Sequence, residues 1–168
     1  MSPTTDQRWL SAPERAAWLA MSAMMVKLPA ALDQQLQRDA ELSLFEYMVL
    51  AMLSEAPDRT LRMNDLAALT SSSPSRLSHV ASRLERSGYV ERRRCEGRGR
   101  STNAVLTDHG YAKVVDAAPG HAAEVRERFI DALTPEQLRN LTGIAAAVRQ
   151  RLDPEGPWDA VADAAPRG

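Results

Sequence analysis

Three histidines (His79, His109 and His121) and one cysteine (Cys95) are the natural places to look for chemistry in this sequence. No histidine stands at a metal-ligating spacing from Cys95 or from a carboxylate cluster. Neither a glycine-rich phosphate loop, a nucleophile elbow nor a His-Glu-x-x-His pair is present. The expectation is therefore a protein that is not an enzyme, with no catalytic residue, no metal and no cofactor. The residue type that does cluster is arginine. Between Arg59 and Arg100 lie ten arginines and four acids, a local charge of +6 in a chain whose net charge is −1. The remainder carries −7. A basic centre between acidic flanks is the footprint of a surface for an anionic ligand. Guanidinium groups suit phosphate and guanine geometry better than ammonium groups do.

The elements around those arginines decide what they can reach. Ser73 followed by Pro74 is a helix start, and Gly88 is a helix stop, so a helix is expected from Pro74 to Arg86 or Ser87. At 100° per residue, Leu77, Val80, Ala81 and Leu84 fall on one side and must pack inward. Ser75, Arg76, His79, Ser82, Arg83 and Arg86 fall on the other. That outer face has no large apolar residue and no acid. It suits insertion into a major groove, where small hydroxyls allow close approach and arginine takes guanine O6 and N7 in a bidentate pair. Tyr89 to Arg94 and Thr102 to Thr107 then read as two strands around a glycine-punctuated turn, Glu96-Gly97-Arg98-Gly99-Arg100. Arg98 and Arg100 at the tip of this hairpin are placed to enter an adjacent minor groove. Arg92, Arg93 and Arg94 alternate sides, so some are expected to hold phosphates and some to pair with acids.

Around this unit the pattern is helical. A long helix is expected from about Pro13 to Gln37, opened by a Ser11/Glu14 capping box and kinked near Leu28 by Pro29. Trp18, Met21, Met25, Leu28 and Leu32 make one apolar stripe on it. A second helix opens at the Ser43/Glu46 capping box, with Phe45, Val49, Met52 and Leu53 on its apolar face, and a short one covers about Met63 to Thr70. After the hairpin, a long helix starts at Thr107 or Asp108, which Pro119-Gly120 should bend or break. Thr134-Pro135-Glu136-Gln137 is a strong start signal for a last helix carrying Leu138, Leu141, Ala145, Val148 and Leu152. Asp153 to Gly168 reads as an acidic, mobile tail.

Helix, short helix, helix and β-hairpin in that order define a winged helix-turn-helix. The fold class expected is mainly α with a small β-hairpin wing (α+β), flanked by long N- and C-terminal dimerisation helices. The segments are 1–40, 41–107, 108–152 and the tail 153–168. With 44% hydrophobic and 26% charged residues in 168, the chain is globular. A lone cysteine excludes a disulfide framework and fits a reducing compartment. No stretch approaches the roughly 18 apolar residues of a membrane span, so a soluble, cytoplasmic protein without membrane contact is expected.

The segments ELSLFEYMVLAMLSEAP, LRMNDLAALTSSSPSRLSHVASRLERSGYVERRRC and NAVLTDHGYAKV, above all RLERSGYVER and VLTDHG, resemble the multiple-antibiotic-resistance-regulator (MarR) family of winged-helix transcription factors. The resemblance implies a homodimer with interlocking first and last helices, each winged helix reading half of a palindrome, and control by a small ligand or oxidant. Ser75, Arg76, Ser78 and His79 fall on the family's recognition helix, and Arg100 falls on its wing arginine. The family often has an aspartate two residues before that arginine; Arg98 stands there instead. The family's peroxide sensors carry their reactive cysteine in the N-terminal region, where this sequence has none. Cys95 reads as a small, half-buried strand residue rather than an oxidation switch.

The DNA-binding set is then Ser75, Arg76, Ser78, His79, Arg83, Arg98 and Arg100. The expected partners are double-stranded DNA with a palindromic promoter operator, a second copy of the chain and a small-molecule effector. The expected activity is that of a ligand-responsive repressor. The competing reading is a winged helix used for protein contacts, which an outward arginine face disfavours.

Overall fold

The computed structural model describes residues 8–94 and 101–154. Helix α1 spans Ala12–Ala40, α2 Leu44–Glu55, α3 Met63–Leu69, α4 Pro74–Arg86, α5 Asp108–Arg128 and α6 Pro135–Leu152. Strands β1 Thr60–Arg62, β2 Val90–Arg94 and β3 Thr102–Leu106 form one antiparallel sheet in the order β1-β3-β2. Short 3₁₀ turns cover Pro57–Arg59 and Ile130–Ala132.

The helix starts follow their capping residues. The Ser11 backbone N–H and hydroxyl both donate to Glu14 Oε2 at 2.7 Å. Ser43 donates in the same two ways to Glu46 and accepts the Glu46 N–H. Ser73 Oγ accepts the Arg76 N–H at 3.2 Å, and Pro74 follows at the first helical position. Thr134 and Gln137 cap α6 reciprocally. Helix α4 ends as Gly88 (φ +74°) enters the left-handed region. The Gly88 N–H then reaches the Glu85 carbonyl, and the Tyr89 N–H reaches that of Leu84.

Two expectations are corrected. The hairpin has a third strand: Thr60, Leu61 and Arg62 pair with Val105, Ala104 and Asn103, so the wing is anchored to the start of α3. Three residues are too few for a periodic signal, and the preceding Asp58 and Arg59 both turn at positive φ. Secondly, of the bend or break expected at Pro119-Gly120 the break does not occur: α5 is helical throughout Asp108–Arg128, and it ends there rather than near Leu133. A mid-helix proline loses one hydrogen bond, and α5 also packs along α1. Gly120 lies so near Gln35 that a Cβ would stand 3.4 Å from its Nε2. Pro29 lies inside α1, which is helical throughout Ala12–Ala40.

The core gathers Leu36 of α1; Val49, Leu50 and Leu53 of α2; Leu66 of α3; Leu77 and Leu84 of α4; Val90 of β2 and Ala104 of β3. Each fully buried leucine is worth about 1.5–3 kcal/mol. Sheet and α5 are joined through Thr107, whose hydroxyl donates to the Gly88 carbonyl at 2.7 Å and accepts the Gly110 N–H at 3.0 Å. The first part of α1 and all of α6 lie outside this core. No residue of α6 is buried, and Trp18, Met25, Val26, Ile144, Val148 and Leu152 are each more than half exposed.

Candidate nucleic-acid interface

Helix α4 shows the two-sided character that its sequence demands. Leu77, Ala81 and Leu84 are at most 1% exposed, whereas Ser75, Arg76, Ser78, His79, Arg83 and Arg86 are exposed. The outward residues do not form one uniform face. Ser75, His79 and Arg86 occupy its middle. Arg76 and Arg83 lie seven residues apart on one flank, beside half-buried Val80, and border a groove between α1, α2 and α4. Ser78 lies on the other flank and lines a cavity of about 360 Å³ with Arg62, Asn64, Arg92 and Thr102, at the base of the wing.

The flank arginines are held from behind. The Arg76 guanidinium carbon lies 4.4 Å from the centroid of the Phe45 ring. Such stacking is worth about 0.5–1 kcal/mol at an exposed site. Arg83 Nε donates to Glu46 Oε1 at 2.6 Å. The Glu46 side chain is 10% exposed, and its other oxygen accepts both Ser43 donors. Arg83 is thus not the unengaged outward cation that helix projection suggests. Projection along one helix is blind to an acid 37 residues away in sequence; the Ser43/Glu46 capping box located that acid but not its second bond.

The strand arginines divide as their alternation requires. Arg92 Nε and Nη2 donate to Glu85 Oε2 at 2.9 and 2.6 Å, and its backbone N–H donates to Oε1. The Arg92 hydrogen bond holds the Glu85 carboxyl below its usual range. Arg93 pairs with Glu91 on the opposite face. Arg98, Arg100 and Cys95 lie outside the described residues. Sequence reasoning had not singled out Arg62, which precedes α3 and borders the 360 Å³ cavity. It entered only as one charge among ten. Among the described residues, no group of three His, Cys, Asp or Glu side chains is arranged to hold a metal ion, and no helix is long and apolar enough to cross a membrane.

A helix-turn-helix with its second helix exposed and cationic, followed by a β-wing, defines the winged helix-turn-helix class. The MarR family profile matches residues 41–101. Sco3205 of Streptomyces coelicolor, a MarR family transcriptional regulator solved in complex with DNA, is 41% identical over 90% of this chain and 94% of its own, with a TM-score of 0.86. AbsC, a MarR family transcriptional regulator of the same organism, is 38% identical over 88% of this chain and 99% of its own, with a TM-score of 0.83. CouR of Rhodococcus jostii RHA1, solved bound to p-coumaroyl-CoA, shares the fold at 19% identity and a TM-score of 0.68, over 83% of this chain and 93% of its own. No curated protein matches. The chain belongs to the MarR family, and Sco3205 and AbsC are transcriptional regulators of that family.

Proposed function

We propose that this protein is a sequence-specific DNA-binding repressor that acts as a homodimer on a palindromic operator and is released by a small ligand. The observation that carries the reading is the exposed α4 face of Ser75, Arg76, Ser78, His79 and Arg83, which lies opposite the buried side of Leu77 and Ala81. The solved DNA complex of Sco3205 supports it. Small hydroxyls with arginine edges fit base readout in a major groove, and Arg98 and Arg100, which follow β2 in the sequence, have side chains suited to an adjacent minor groove. Two-fold symmetry would set the recognition helices about 34–36 Å apart.

Ligand control is supported by the groove between α1, α2 and α4, about 540 Å³ and lined by Pro29, Asp33, Phe45, Met48, Arg76 and Arg83. That volume suits a small molecule. A ligand seated there would touch both an outer helix and the recognition helix. It would shift binding only by favouring one arrangement of the two. Binding of p-coumaroyl-CoA by CouR is a small-molecule precedent in this fold.

Selection of bound sequences from random duplex DNA tests the reading. An enriched palindrome, bound with an affinity that falls steeply with salt, is the expected result. Arg76→Ala and His79→Ala should each weaken operator binding about 10–100-fold with the dimer intact, on the scale of about 1–3 kcal/mol per base contact. No sequence enrichment would overturn the proposal and favour a protein-binding winged helix.

A further inference from the structure

Two side-chain interactions join the first turn of α2 to arginines of the recognition helix. Phe45 lies under the Arg76 guanidinium, and its neighbour Glu46 bonds Arg83 Nε. Each contact leaves N–H donors over. The Phe45 ring carries no hydrogen-bonding oxygen or nitrogen, so a guanidinium 4.4 Å from its centroid spends no conventional hydrogen bond on it. An arginine held by Nε keeps its two terminal nitrogens. Glu46 is itself immobilised, because Oε2 accepts the Ser43 N–H and hydroxyl while Oε1 takes the arginine. The turn is also pinned to α1, where Asp33 Oδ1 accepts the Leu44 N–H at 2.7 Å. An exposed arginine ordinarily loses much rotamer freedom when it binds a base. Here that ordering is done in advance.

We propose that Phe45 and Glu46 are specificity-determining positioning residues: without lying on the exposed α4 face, they hold Arg76 and Arg83 in the orientation in which their free N–H edges read the operator. The proposal rests on the DNA-reading function above. It predicts a loss of discrimination between operator and random duplex that is larger than the loss of affinity for duplex DNA in general, since non-specific binding needs only charge near phosphates.

The test is a pair of double-mutant cycles on the full-length dimer, read as the ratio of operator to random-duplex affinity at fixed salt. Phe45→Leu should lower that ratio about tenfold, and Phe45→Tyr, which keeps the ring, should restore it. In an Arg76→Ala background, Phe45→Leu should lower it no further. Glu46→Gln should behave in the same way towards Arg83→Ala. Thermal unfolding of each variant separates this from a packing role, which would shift the midpoint equally in both backgrounds and leave the cycle additive. Additive losses in the cycles, or an unchanged ratio in Phe45→Leu, would overturn the proposal. If Phe45→Leu does not fold, the Glu46/Arg83 cycle decides by itself. A wild-type protein without operator preference would instead overturn the DNA-reading function.

Discussion

At the scale of single residues, the structure separates arginines by what already holds them. Arg92 and Arg93 each give both Nε and Nη2 to a carboxylate, Glu85 and Glu91 respectively. Arg76 and Arg83 are held in ways that leave donors over. The same attention to partners isolates His121. Its ring lies 4.5 Å from that of Tyr47 between α2 and α5, its Nδ1 is buried with no hydrogen-bond partner among the described residues, and burial pulls its pKa below 6.5. The folded chain therefore takes up this proton less readily than the unfolded chain. The stabilisation that results is complete above about pH 6.5 and is lost as pH falls through the lowered folded value. His121→Phe keeps a ring against Tyr47 and abolishes the titration. Denaturant unfolding measured across pH should show a flatter acid limb just below pH 6.5 in the variant. The Glu85, Asp39 and Glu14 carboxyls, all held below their usual range, keep their own effect at lower pH. Parallel limbs in the two proteins would show that His121 is not the group responsible.

At the scale of elements, junctions matter more than lengths. The sheet meets α5 at Gly110, where an added Cβ would overlap the Tyr89 carbonyl and stand 2.7 Å from Leu106 Cδ1. Both neighbours are fixed, Tyr89 by its carbonyl bonds to Thr107 and Leu106 by burial. Gly110→Ala should cost about 3 kcal/mol or more, the upper end of overpacking, read as a lowered urea midpoint. An alanine variant as stable as the wild type would mean that α5 can slide away from the sheet. Such junctions also show what was legible in the amino-acid sequence. Ser43/Glu46, Ser73-Pro74, Gly88 and Thr134/Gln137 act through neighbours within four residues, so helix starts and the α4 stop could be read directly. The inner face of α4 could be read because Leu77, Ala81 and Leu84 recur at helical spacing. Strand β1 could not: its partner β3 is more than forty residues away, and nothing in Thr60-Leu61-Arg62 announces it. The continuity of α5 through Pro119 was hidden for a like reason, since its packing against α1 joins residues far apart in sequence. The grip of Phe45 and Glu46 on α4 belongs to the same non-local class, although each of the four residues could be placed on its own helix.

At the scale of the whole molecule, a single chain leaves its outer helices without a reason to be where they are. An amphipathic helix owes most of its stability to a buried face, and α6 has none in its own chain. Its apolar positions Ile144 and Val148 are 54% and 52% exposed, and on α1 Met25 and Val26 are 51% and 72% exposed. Apolar exposure on that scale, on α6 and the first part of α1, is of the kind that interaction surfaces carry. On the proposed reading a second copy of the chain covers that surface, which also fits the α4 face, because a single recognition helix reads too few base pairs to be selective and a two-fold pair reads twice as many. Dimerisation and DNA reading would then be linked through concentration: what weakens the first must weaken the second. Ile144→Glu with Val148→Glu places two charges on the α6 face without touching the buried core around Leu50 and Leu77. Sedimentation should show a monomer. Operator affinity should fall at least about 100-fold, since one half-site contact and the pre-paid cost of bringing two readers together are lost. Binding to random duplex, which needs only local charge, should fall much less. A variant that still sediments as a dimer would move the interface to α1 and α5. A monomer that kept full operator affinity would break the link between symmetry and readout, and with it the case for a palindromic site.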